Sequence, residues 1–162
     1  MTIAVGTRLP DALLLRMGAK GAETVALSSL LTGRNVVIFG FPGAYTGTCT
    51  TAHIPSFVRT KTQFDAKGVD DIIGIAVNDP FVMDSFAKTS GATAAGIKLL
   101  ADGSSAFTTA IGMNFDVPAM GFHARSQRYA AYVVDGVVQY LSEVEKPGVC
   151  DTSSGEAMLE VI

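Results

Sequence analysis

The chain of 162 residues contains no tryptophan, two histidines and two cysteines. Cys49 and Cys150 are too few and too far apart to staple a disulfide scaffold, and no Cys-x-x-Cys is present. The two histidines do not complete the ligand set of a structural zinc site. In a reducing compartment such a cysteine pair is redox-active or structural rather than a permanent staple. Every apolar run stops well short of the roughly 20 residues that a membrane-spanning helix needs. The net charge is −3, with no basic stripe, which argues against nucleic acid and anionic membrane as partners. Gly-x-Gly-x-x-Gly, the Walker-type phosphate loop, His-Glu-x-x-His and Gly-x-Ser-x-Gly are all missing. The phosphate, zinc-peptidase and serine-hydrolase chemistries that depend on them are therefore not expected. The opening stretch MTIAVGTRLPD lacks the charged-then-apolar layout of a secretion signal, so the expected location is cytoplasmic.

What is present is the profile of a globular chain. Apolar residues make up 48% and charged residues 17%, enough for one domain with a full core. No repeat, linker or low-complexity stretch divides residues 1–162. The first 33 residues read as an N-terminal extension broken by Pro10 and Gly21. Glu23 to Leu27 is a short strand there, and Ser28 to Leu31 a helical turn. Asn35 to Phe41 is an almost continuous apolar run, as expected of a strand buried on both faces. A helix is predicted from Thr48 to Lys67, kinked at Pro55 and stopped by Gly68. Asp71 to Asn78 is a second buried strand. Asp79 and Pro80 open a helix as N-cap and first helical residue. Ile97 to Ala101 is a strand, Ser104 to Ile111 a helix, and Asn114 to Ala124 an irregular loop. Arg128 to Val134 and Val137 to Glu145 flank Asp135-Gly136, a strong hairpin signal. After a loop carrying Cys150, Ser153 to Ile162 closes the chain as a helix capped by Ser153 or Ser154, with Glu156 in its first turn. Past the extension the order is β-α-β-α-β-α-β-β-α. That predicts an α/β fold with a central mixed sheet.

The stretch Phe39 to His53, FGFPGAYTGTCTTAH, organises the rest. It reads as strand, tight loop and helix start, with Cys49 at the helix N-terminus. Unpaired backbone N–H groups and the helix dipole favour an anion there, hence a thiolate and a nucleophile. A lone cysteine is more often a small core residue; position, not residue type, sets this one apart. His53 follows Cys49 by four residues on the same helix face, the spacing of a Cys-His dyad. It equally suits a residue that fills a packing gap or faces solvent.

Within this stretch, Pro42-x-x-x-Thr46-x-x-Cys49 resembles the active-site signature of the peroxiredoxins. PGAYTGTC, VNDPFVMDSF, RSQRYA and VVDGVV, in that order, are similar to the peroxiredoxin-5-like (type II) subfamily, from about Leu9 to Leu159. The resemblance implies a thioredoxin-like fold and thiol-dependent reduction of hydrogen peroxide and alkyl hydroperoxides, with no metal, haem, flavin or other cofactor. It makes Cys49 the peroxidatic cysteine, Thr46 the hydroxyl that hydrogen-bonds the peroxide, Pro42 the shield and Arg128 the distant cation. Arg125, three residues earlier, competes for that last role. Members often carry proline where this chain has Gly47, and glycine near His123, which reads here as a bulky surface residue. The resemblance leaves two routes for Cys49 after oxidation. Cys150 resolves it by an intramolecular disulfide, or glutathione, glutaredoxin or thioredoxin reduces it. A homodimer with its interface beside the active-site loops is also implied. A thiol-disulfide oxidoreductase is disfavoured by the missing Cys-x-x-Cys. The other alternative is a non-enzymatic redox sensor or partner-binding protein in which Cys49 oxidation alters a docking surface.

Overall fold

The computed structural model describes residues 2–162. Its centre is a seven-stranded mixed sheet in the order β2 (Gly21–Ala26), β1 (Leu13–Gly18), β5 (Lys98–Ala101), β4 (Asp71–Ala76), β3 (Asn35–Gly40), β8 (Tyr129–Val134), β9 (Val137–Leu141). β3 (Asn35–Gly40) runs parallel to β4 (Asp71–Ala76), and β4 parallel to β5 (Lys98–Ala101). On the other side β3 is antiparallel to β8 (Tyr129–Val134), which pairs with β9 (Val137–Leu141) around Asp135-Gly136. Both residues of that turn have positive φ, 48° and 76°, the conformation that Asp-Gly tolerates best. This is the expected α/β arrangement.

The alternation along β3 decides which layer each residue joins, because successive strand side chains point to opposite faces. Val37 and Phe39 face a cluster with α2 (Ile54–Ala66), α3 (Pro80–Thr89), α4 (Ala92–Ala95) and α6 (Gly155–Val161). Val36 and Ile38 face a second cluster with α1 (Leu27–Leu31) and α5 (Ala106–Ala110). Cys49 belongs to the first cluster.

Three sequence expectations need correction. The N-terminal extension is not an annex: β1 (Leu13–Gly18) and β2 (Gly21–Ala26) form a hairpin that extends the main sheet through an antiparallel contact of Leu15 with Ala101. Gly21, read as a breaker, is the hairpin's positive-φ residue at 113°. The stretch 114–124 is not irregular: β6 (Asn114–Val117) and β7 (Phe122–Ser126) form a small antiparallel sheet joined by a 3₁₀ turn. The last strand stops at Leu141, not Glu145. Beyond it Ser142 holds Ala130 twice, its N–H donating to the Ala130 carbonyl at 2.8 Å and its hydroxyl accepting the Ala130 N–H, and Glu145 N–H then meets Arg128 O at 3.0 Å.

Capping went as the sequence predicts. Asp79 accepts the Val82 N–H at 2.9 Å, and Ser154 accepts the Ala157 N–H at 3.2 Å. The expected kink at Pro55 takes the form of a π-turn over Cys49–His53, closed by Ile54 N–H on the Cys49 carbonyl. Proline lacks the N–H that an α-helix would direct at Thr51, and its ring would strike that carbonyl. One wide turn before the proline removes the conflict.

Candidate active site

Four segments meet at Cys49. The π-turn places its side chain inward, fully buried between β3 and α2. The start of β8 brings Arg128, which is 1% exposed despite its charge. Its guanidinium is divided among three partners. Nη2 donates to Cys49 Sγ at 3.2 Å and to the Pro147 carbonyl at 2.9 Å, while Nη1 lies 2.7 Å from His53 Nδ1. Among the described residues no carboxylate is within ion-pair reach of Arg128.

His53 sits in an aromatic cage. Its ring centroid is 4.9 Å from Phe39, 5.6 Å from Phe57 and 6.5 Å from Phe41. Nε2 is 3.0 Å from the Ser153 carbonyl. A carbonyl only accepts, so Nε2 carries the proton, and Nδ1 offers a lone pair to Arg128. The ring is therefore neutral. Burial, and then the Arg128 charge, push its pKa down to about 3, against the pull of the Ser153 carbonyl. No hydrogen bond joins His53 to Cys49 among the described residues. The Cys-His dyad that the four-residue spacing allows does not form, because the π-turn rotates His53 onto Arg128.

The loop after β3 supplies the remaining groups. Pro42 is buried, and its carbonyl accepts Arg125 Nη1 at 3.0 Å. Arg125 also stacks over Phe122, 5.1 Å from the ring centroid. Thus Arg125 braces the loop while Arg128 reaches the sulfur. Thr46 donates its hydroxyl proton to the Gly43 carbonyl at 2.7 Å, leaving its oxygen lone pairs free to accept. A cavity of about 220 Å³ opens beside these residues, lined by Pro42, Thr46, Met120, Phe122, Pro147 and Gly148. Its walls combine two hydroxyl-bearing residues, Thr46 and Thr48, with an apolar lip.

Cys150 is half-buried in the loop that follows Pro147, and both cysteines are free thiols. Burial pushes the Cys150 thiol up; the Arg128 charge pulls it down and Glu145 pushes it up again. His123 is exposed on β7. The sequence reading missed Pro147, Ser153 and Glu145 as neighbours of the site. They act through backbone carbonyls and a carboxylate turned on its own loop, which leave no motif. Among the described residues no cluster of histidine, cysteine or carboxylates could hold a metal ion.

A buried cysteine at a helix start, on a mixed sheet of this topology, is the arrangement of a redoxin. The Redoxin family model matches residues 4–159. Peroxiredoxin-2E-2, chloroplastic, of Oryza sativa subsp. japonica is 42% identical over 99% of this chain and 73% of its own length. The structure of reduced Prx3 in complex with H2O2 from Vibrio vulnificus superposes with a TM-score of 0.91 at 39% identity, covering 98% of both chains. That of peroxiredoxin 5 from Alvinella pompejana gives 0.84 at 30% identity, over 98% of this chain and 96% of the other. The chain belongs to the peroxiredoxins, thiol-dependent peroxidases on a thioredoxin-like fold, and fits their peroxiredoxin-5-like (type II) branch.

Proposed function

We propose that Cys49 is the peroxidatic nucleophile for hydrogen peroxide and alkyl hydroperoxides, with Arg128, Thr46 and Pro42 as its active-site partners. The observation that carries this reading is the buried Arg128 cation. A charge at 1% exposure needs compensation. Its contacts are a neutral imidazole, a carbonyl and the Cys49 sulfur. Only the sulfur can become an anion. In this role the thiolate lone pair attacks the terminal peroxide oxygen. The O–O bond breaks, the leaving oxygen takes a proton to become water or an alcohol, and Cys49 becomes a sulfenic acid. Negative charge grows on both oxygens as the bond breaks. Arg128, whose Nη2 already donates to the sulfur, stabilises it. Thr46, its own proton committed to Gly43, accepts the hydrogen of the peroxide. The buried Pro42 ring limits water at the sulfur. The apolar lip of Met120, Phe122 and Pro147 suits the organic half of an alkyl hydroperoxide.

The sulfenic acid is resolved by Cys150, and the resulting disulfide is reduced by glutathione with glutaredoxin, or by thioredoxin. Arg128 supports this reading, since one Nη2 touches both the Cys49 sulfur and the carbonyl of Pro147, which leads into the Cys150 loop. Residues 1–162 act as one thioredoxin-like domain, in the cytoplasm, and as a homodimer. Intact mass after one equivalent of peroxide tests the assignment. Wild type should lose two hydrogens as a monomeric disulfide, Cys150→Ser should hold a sulfenic acid, and Cys49→Ser should consume no peroxide. Arg128→Lys, which cannot reach three partners at once, should oxidise about 10²-fold more slowly. Wild-type peroxide consumption by Cys49→Ser would end the assignment, and persistent sulfenic acid in wild type would end the role of Cys150.

A further inference from the structure

The segment that carries Cys150 has no helix or strand of its own between Leu141 and Gly155. One side chain shapes it. Glu145 Oε1 accepts the N–H of Asp151 at 2.5 Å and of Thr152 at 2.7 Å. Oε2 accepts the N–H of Ser153 at 3.3 Å and the Ser153 hydroxyl. Consecutive backbone N–H groups converging on an anion form a nest, here filled from within the chain. The carboxylate starts from a fixed point, because the Glu145 N–H is bonded to the Arg128 carbonyl at 3.0 Å. Burial would raise its pKa, yet the Ser153 hydroxyl and the three amides hold it below the ordinary value.

Two other contacts pin the ends of this segment. Arg128 Nη2 holds Pro147 O, and His53 Nε2 meets Ser153 O. Cys150 lies between those pins and directly before the three amides that Glu145 gathers. No contact runs from the Glu145 side chain to Cys49, Thr46 or Pro42 among the hydrogen bonds of the described residues.

We propose that Glu145 is a positioning residue for the resolving step: its carboxylate folds residues 151–153 so that the Cys150 thiol is presented to oxidised Cys49, and it takes no part in peroxide reduction. This rests on the reading of Cys150 as the resolving cysteine. In that step the Cys150 sulfur gives up its proton and attacks the sulfenic sulfur of Cys49. The S–S bond forms, the S–O bond breaks, and hydroxide leaves as water with that proton. Glu145→Gln keeps the side-chain size, but an amide offers one accepting oxygen where the nest presents four donors. A loop held that way samples many positions, and the thiol meets its target less often.

The test separates the steps. Peroxide is mixed rapidly with wild type, Glu145→Gln and Glu145→Ala; Cys49 oxidation and bridge formation are followed by quenched intact mass. In parallel, amide hydrogen exchange at residues 151–153 is measured in the Cys49→Ser background. Both variants should oxidise Cys49 within about twofold of wild type, form the bridge about tenfold more slowly, and lose exchange protection at residues 151–153. Bridge formation at the wild-type rate overturns the proposal, and so does equal slowing of both steps, which would mark Glu145 as merely structural. Unchanged exchange at residues 151–153 overturns the clasp while leaving Cys150 its role. A wild type that forms no bridge overturns the resolving role itself, and the proposal with it, even where exchange responds.

Discussion

At the residue scale the informative side chain is His53. Its sequence position invites a role as a base for Cys49, yet its ring is neutral, caged by Phe39, Phe41 and Phe57, and turned toward Arg128. This has a measurable consequence for stability. In the unfolded chain the imidazole titrates near its ordinary value, whereas in the folded chain its pKa is about 3. Below the unfolded value the unfolded chain binds the additional proton. Stability from this group is therefore complete above the unfolded pKa, and falls as pH drops toward 3. One pH unit inside that window is worth roughly 1.4 kcal/mol. Chemical denaturation of wild type and His53→Gln at pH 5.5 and 7.5 checks this. The variant should lose a component of about 1 kcal/mol from the pH dependence, well above the error of such a comparison. Identical pH dependence would mean that the fold does not shift the titration of His53.

At the scale of elements the helix that carries Cys49 shows how local chemistry and fold meet. Gly47 lies at its first turn, exposed, with open space where a Cβ would stand. The first helical position needs no N–H and suits proline. Gly47→Pro should raise stability by about 0.4–1 kcal/mol, through the unfolded chain, and leave the peroxide rate unchanged. Thermal or urea unfolding measures the gain; a loss would show that the loop needs a mobile entry to this helix. The same element marks the limit of reading from sequence. Pro55 announces a break in the helix, but a proline can be met by a bend, a tight turn or a wide one. The wide π-turn follows from packing around Phe39 and Phe57, which stack at 4.4 Å and fix how far α2 can rotate. The N-terminal hairpin was hidden for a related reason. Glu23 to Leu27 reads as a strand, but Gly21 reads as a break until its partner is known: residues 13–18 become a strand by pairing with residues 21–26, and the hairpin joins the sheet only where Leu15 meets Ala101. By contrast, the caps at Asp79 and Ser154 and the turn at Asp135-Gly136 were legible, because each depends on neighbours within a few residues.

For the whole molecule, the surface around the site carries the remaining information. Tyr45, Phe81 and Met120 are 52%, 65% and 64% exposed. Tyr45 reaches α3 through Ser85 at 2.5 Å, one turn from Phe81, and Met120 lines the mouth beside Thr46. Apolar side chains gathered beside the site support the proposed homodimer. Phe81→Asp would place a charge within such an interface, so sedimentation velocity at micromolar concentration should show a wild-type dimer and a variant monomer. A monomeric wild type would remove the dimer from the reading. Among the described residues no helix is long and apolar enough to cross a membrane.

The sequence by itself determined the alternation of strands and helices, the helix caps, the hairpin turn and the loop that delivers Cys49. These follow from hydrophobic period, proline and glycine geometry, and side chains that bond to nearby backbone, all of which act over a few residues. It also carried the peroxiredoxin signature. Tertiary structure decided how the charges are arranged. It brought Arg128, far along the chain, to 3.2 Å from the Cys49 sulfur, left it no carboxylate partner among the described residues, and turned His53 from the sulfur to the guanidinium. It also folded Glu145 back on the Cys150 loop. Burial and distance set the strength of a charge–charge contact, and both are properties of the packed chain. The stretch FGFPGAYTGTCTTAH is thus a nucleophile awaiting its cation until the sheet closes around it.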